Sequence, residues 1–164
     1  MKKFFSYMTM LAIAALMFTS CSKDEEMEPK DYAAILTSGD WRGYNRAEYR
    51  TVGDEWEYNN EMPYVIMKFT RIDANAVSGA GYQLEFKNDY MKEQTDKSRF
   101  TWIINDTKLF VNYENQGWEG VSVDYKNGDL SENHFSGMWY PRNNRRYVFD
   151  YTKHSDIDWN KYFN

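Results

Sequence analysis

"RFTWIINDTKLFVNY", residues 99–113, alternates apolar and polar side chains twice, with Asn105-Asp106 between the two runs. Phe100, Trp102 and Ile104 fall on one side of the first run, and Leu109, Val111 and Tyr113 on one side of the second. A period of two marks a strand with one buried and one solvated face. Asn and Asp tolerate the positive φ that a tight hairpin requires. The stretch therefore predicts an antiparallel hairpin, and the same pattern extends in both directions.

Upstream, the first strand begins at Trp41, Val65, Met67 and Phe69 form the next face, and Tyr82, Leu84 and Phe86 form another. Downstream come Val121, Val123 and Tyr125, then Phe135, Gly137 and Trp139, then Tyr147, Phe149 and Tyr151. Asn127-Gly128 and Asn143-Asn144 supply further hairpin turns. Evenly spaced strands with short turns and no crossover helices describe an all-β, antiparallel up-and-down meander. Closing roughly eight such strands into a barrel removes the exposed edges that an open two-sheet sandwich, the alternative, retains. On this reading Phe69, Phe86, Phe100, Trp102 and Trp139 point inward. One short helix precedes the barrel over Asp31-Tyr-Ala-Ala-Ile-Leu, with Asp31 as N-cap and Gly39 as stop.

The N-terminus reads differently. Met1-Lys2-Lys3 is a basic start, Phe4 to Met17 is mostly apolar, and small residues precede Cys21, the only cysteine of the chain. This is the layout of an export signal over 1–20, and the apolar run is short for a membrane span. Residues 21–30 then form a charged tether, and 31–164 the barrel domain. A single exported thiol cannot form an internal disulfide and exposes the chain to pairing between molecules. Removing Lys2 and Lys3 with the leader leaves 18 basic against 25 acidic side chains, a formal charge of −7. That balance argues against nucleic acid as a partner.

Small residues placed directly before Cys21 resemble the lipobox of bacterial lipoproteins, and Ser22-Lys23-Asp24-Glu25-Glu26 resembles the surface-export signal of Bacteroidetes lipoproteins. The resemblance implies acylation of Cys21, attachment to the outer membrane through that lipid, and exposure at the cell surface. Gly39-Asp40-Trp41 at the head of the first strand resembles the Gly-x-Trp start of the lipocalin fold. "NHFSG" at 133–137 and the 99–113 hairpin are likewise similar to lipocalin-like lipoproteins of Bacteroidetes. The resemblance covers about residues 35–152 and implies that Trp41 closes the barrel floor. Arg145 and Arg146 are the candidates for the arginine that covers it. The Thr-Asp-Tyr type motif of ligand-carrying lipocalins is absent, so the likeness is to a looser lipocalin-like barrel, and it implies shape more than chemistry.

Catalytic and metal motifs are missing. No Gly-x-Ser-x-Gly, phosphate-cradling loop or dinucleotide fingerprint occurs, and His134 and His154 lack metal-ligand spacing. Asp156, Asp158 and Asn160 imitate the opening of a calcium loop without its glycine or closing Glu. No catalytic residue, metal or cofactor is expected, and the chain reads as non-enzymatic. Binding is carried by aromatics. Trp102 and Trp139 are candidates to line a cavity for a small apolar or amphipathic ligand. Trp56, Tyr58 and Trp118, in polar loop-like stretches, are candidate contact rings at one barrel end. The alternative is a surface interaction protein with a solid core that recognises a glycan or another envelope protein.

Overall fold

The 99–113 stretch forms β5 (Gln94–Asn105) and β6 (Lys108–Tyr113), with Phe100 opposite Tyr113 and Asn105 opposite Lys108. Asp106 takes the turn's positive φ of 56°. The computed structural model describes residues 27–50, 56–58, 62–106, 108–114, 117–122, 129–140, 145–155 and 157–163. The other strands are β1 (Asp40–Arg50), β2 (Trp56–Tyr58), β3 (Tyr64–Arg71), β4 (Ser78–Phe86), β7 (Gly117–Ser122), β8 (His134–Tyr140) and β9 (Arg145–His154). Helices α1 (Pro29–Leu36) and α2 (Asn160–Phe163) flank them. All pairings are antiparallel, in the order β2-β1-β3-β4-β5-β6-β7-β8-β9, and β9 returns to β1. That return runs from Asp40 opposite His154 to Tyr49 opposite Arg145 and closes an eight-stranded up-and-down barrel. β2 is an extra strand paired to the end of β1.

The barrel has two distinct ends. At the lower end, where β1 begins, α1 inserts Ala33 and Leu36, both fully buried, into the core. The Trp41 indole N–H donates to the carbonyl of Leu36 at 2.8 Å, satisfying one of the acceptors that a helix C-terminus leaves open. Its ring meets Phe135 edge-on at 5.5 Å. Gly39 lets the chain turn into β1 here: a Cβ on it stands only 2.7 Å from the Lys153 stem. Trp41 thus sits on the floor, covered by α1. Arg146 is not its cover, because it lies at the opposite end, donating to Glu48 across the closing seam at 2.5 Å. Helix α1 also begins earlier than expected. Pro29 fits its first turn, and Asp31 is the third helical residue, its carboxylate accepting the Glu28 backbone N–H at 2.9 Å.

Inside the lower half, aromatic rings lie where strands carry glycine. Phe100 rests on Gly81, and a Cβ there stands 2.2 Å from its ring and 2.5 Å from the Lys68 carbonyl. Trp102 crosses Gly79 and donates its indole N–H to the carbonyls of Thr70 and Ala80 at 3.1 and 3.0 Å. Phe69 contacts Phe100, Trp102 and Phe135 edge-on at 5.1–6.1 Å. The lower interior is therefore filled by a contiguous cluster of buried apolar side chains.

β4 reverses the expected orientation. Its residues Gly79, Gly81, Gln83 and Glu85 stand opposite Arg71, Phe69, Met67 and Val65, so they share the inner face. Tyr82, Leu84 and Phe86 point outward, and Phe86 does not enter the barrel. With Ile66 they form a second apolar cluster, covered by Ile157, Trp159, Tyr162 and Phe163 of the C-terminal segment. Alternation identified the strand, but the covered outer wall made the apolar side the wrong guide to the interior. No helix among the described residues is long and apolar enough to cross a membrane.

Gly81→Ala tests the ring seats. Overpacking against a ring and a backbone carbonyl is expected to cost about 1–3 kcal/mol. Urea unfolding of the variant checks it, and adding Phe100→Leu is expected to recover part of the loss.

Candidate functional site

The upper half of the interior is different in kind. Along the inner face of β5 the residues run Ile104, Trp102, Phe100, Ser98, Asp96, from buried apolar to buried polar to exposed acidic. β4 runs in parallel from Gly79 and Gly81 to Gln83 and Glu85. Glu85 and Asp96 face each other across the ladder, beside a register shift at Glu85/Phe86. Like charges directly opposed on one sheet face are unfavourable. Gln83 donates to the Glu85 carboxylate at 2.9 Å, and Ser98 donates to Asp96 at 3.0 Å. The Tyr113 hydroxyl reaches from β6 to the Gln83 carbonyl oxygen. These bonds offset the desolvation of Gln83 and Ser98, which are 8% and 6% exposed.

Opposite this sector, β8 and β9 contribute rings. Trp139 packs on Phe149 at 5.2 Å, and Tyr147 packs against the same core. Tyr151 links the two halves. Fully buried, it donates its hydroxyl proton to Asn45 and is hydrogen-bonded by Trp139. Burial chiefly, with the nearby Glu85 charge, pushes its ionisation far above the ordinary tyrosine value, against the opposing effect of those two bonds. The upper interior is therefore amphipathic: amide, hydroxyl and carboxylate on β4 and β5, aromatic surface on β8 and β9.

The expected binding residues separate on this map. Trp102 belongs to the solid floor and Trp139 to the aromatic sector above it, 2% and 3% exposed. Trp56 and Tyr58 lie on β2, opposite Arg50 and Glu48, and Trp118 lies on β7, opposite Asn112. All three are strand positions, not loop positions, and their side chains fall outside the described residues, as does Cys21. The polar sector was missed because its residues occupy the polar phase of β4, read from sequence as the solvent side. The glycines at 79 and 81, on that same phase, were the available signal, since a solvated face has no need of them.

The remaining candidates are plain surface features. His134 pairs with Asp150 at 2.9 Å, and His154 with the Thr152 hydroxyl at 3.2 Å. No group of His, Cys, Asp and Glu suited to a metal occurs among the described residues. Asp158 accepts the backbone N–H of Asn160 at 3.2 Å, an ordinary local turn. No protein-family profile matches the chain, and no curated protein sequence matches it.

Tyr151 gives the site a pH signature. Its folded-state ionisation is raised, so its stabilisation is complete below the ordinary tyrosine value of 10.0 and is lost as pH rises beyond it. Tyr151→Phe, which leaves Asn45 and Trp139 without their buried partner, is expected to cost about 1–3 kcal/mol at neutral pH. It is also expected to flatten the alkaline fall in stability. Urea midpoints measured on both sides of that value check both effects.

Proposed function

We propose that this protein is a lipid-anchored, non-enzymatic binding protein of the cell envelope, taking a small amphipathic ligand at the upper end of its barrel. The reading rests on one observation above all: Glu85 and Asp96 face each other on the inner wall, beside hydrogen-bonded Gln83 and Ser98. An interior that had only to be stable is better filled with apolar side chains, and such local departures from packing logic concentrate at functional sites. The ligand's apolar part lies toward Trp139, Tyr147 and Phe149, and its polar end meets the β4–β5 sector. Hydrogen-bond donors on that end suit the two carboxylates. The solid floor limits the ligand to the upper half.

Anchorage follows from the sequence resemblance. Cys21 carries the acyl chains, each buried CH₂ adding roughly 0.8 kcal/mol of membrane affinity, and the acidic residues after it address the protein to the outer surface. A second reading, recognition of a glycan or envelope protein by the outer face, is favoured by the packed floor and by exposed Tyr44, Tyr90 and Tyr140.

Native mass spectrometry of the domain released from its own envelope tests the first reading. A co-purifying small molecule is expected, and Glu85→Gln with Asp96→Asn is expected to lose it while Trp139→Phe retains it in part. A ligand-free barrel whose tryptophan emission responds to glycans instead favours the outer face. Cys21→Ala is expected to shift the protein from the membrane to the soluble fraction, and labelling with palmitate checks the lipid directly.

A further inference from the structure

The outer wall of β3–β5 carries a feature that ligand binding in the barrel does not use. The C-terminal segment Ile157–Phe163 lies across it as a strap. Trp159 and Phe163 pack on Tyr82 at 5.9 and 4.8 Å, and Tyr162 packs on Phe86 at 6.1 Å. From β5, Lys97 donates to the carbonyl of Tyr162 at 3.0 Å, and Arg99 stands 5.8 Å from the Phe163 ring. The apolar cluster beneath contains Ile66, Leu84 and Phe86 and is separate from the barrel interior. Closure between β1 and β9 ends at His154, before the strap begins. The strap can therefore lift without opening the barrel.

One buried acid ties it down. Asp40 lies on the outward phase of β1, where side chains ordinarily meet water, yet it is 5% exposed. Its carboxylate accepts the Trp159 indole N–H at 3.0 Å and the backbone N–H of Ile157. We propose that docking of this strap is linked to protonation of Asp40, so that acidification tightens the strap and rising pH loosens it. Lifting the strap returns Asp40 to water, and docking removes it, so the two equilibria share one free energy.

The surrounding charges set the balance. Lys68 of β3 and His154 of β9 stand in register with Asp40 on either side, and Arg42 follows it on the same face of β1. On the strap, Asp158 is turned to the Asn160 backbone. Desolvation raises Asp40 above its ordinary value of 3.8, outweighing the Trp159 bond, the Lys68 and Arg42 charges and the Ile157 backbone bond, which favour the carboxylate. A raised acid contributes docking stability that is complete below 3.8 and is lost as pH climbs through the docked-state value.

The exchange protection of the Trp159 indole N–H, assigned with Trp159→Phe and corrected for intrinsic rate, measures strap opening in the intact protein. Protection is expected to rise progressively as pH is lowered from about 7 to about 3.8, the ordinary value below which the docked and lifted states bind the same number of protons. The Trp41 indole, in the separate interior cluster, is expected to stay unchanged. Asp40→Asn is expected to show the acid-level protection at every pH, and His154→Asn to behave as the wild type. Flat protection in the wild type, loss of the response in His154→Asn, or lower protection in Asp40→Asn at all pH values overturns the proposal.

Discussion

Everything in this structure depends on the pairing of the first strand with the last. The β1–β9 ladder runs the length of both strands and turns a meander with two open edges into a continuous wall. Its ends are fixed by different physics. At the upper end Glu48, with a side chain only 3% exposed, binds Arg146 at 2.5 Å and Arg46 at 3.3 Å. At the lower end Asp40 and His154 are in register just outside the floor that Trp41 and α1 complete. Charged hydrogen bonds secure one end of the seam and hydrophobic burial the other. Such a contact joins residues far apart in the chain, and the loop-closure entropy of non-local pairing slows folding.

Closure also creates the distinction between the two halves of the interior. An eight-stranded barrel has room for little beyond its own side chains. Below, rings placed over Gly79 and Gly81 occupy the space that a side chain at those positions would need. Above, amide, hydroxyl and carboxylate groups replace rings on β4 and β5, and each buried member is hydrogen-bonded. Tyr151 spans the boundary, joining Asn45 of β1 to Trp139 of β8. The polar region is thus part of a connected network and not a collection of isolated defects.

Much of this was legible in the sequence. The period of two located β3, β4, β5, β6, β8 and β9, Asp106 took its turn geometry, and Gly39-Asp40-Trp41 marked the floor, whereas β7 lies over Gly117–Ser122 and Val123 and Tyr125 fall outside the described residues. Orientation was less legible. An alternating strand states that its faces differ but not which face is inside, and β4 has apolar residues outside because a distant segment covers them. That segment is brief and lies past the last strand, so no periodicity in Ile157–Phe163 announces its partner. Trp56 and Trp118 sit among polar neighbours that suggest loops, yet backbone pairing with β1 and β6 makes them strand positions. Long-range pairing overrode local composition at each of these sites.

The placement of α1 gives the molecule a polarity. The described chain enters through the helix that plugs the floor, so Pro29 and the start of α1 lie at the lower pole. The amphipathic half of the interior lies toward the other. A tether leading into Pro29 meets the barrel at its plugged end, on the far side from Gln83, Glu85, Ser98 and Asp96.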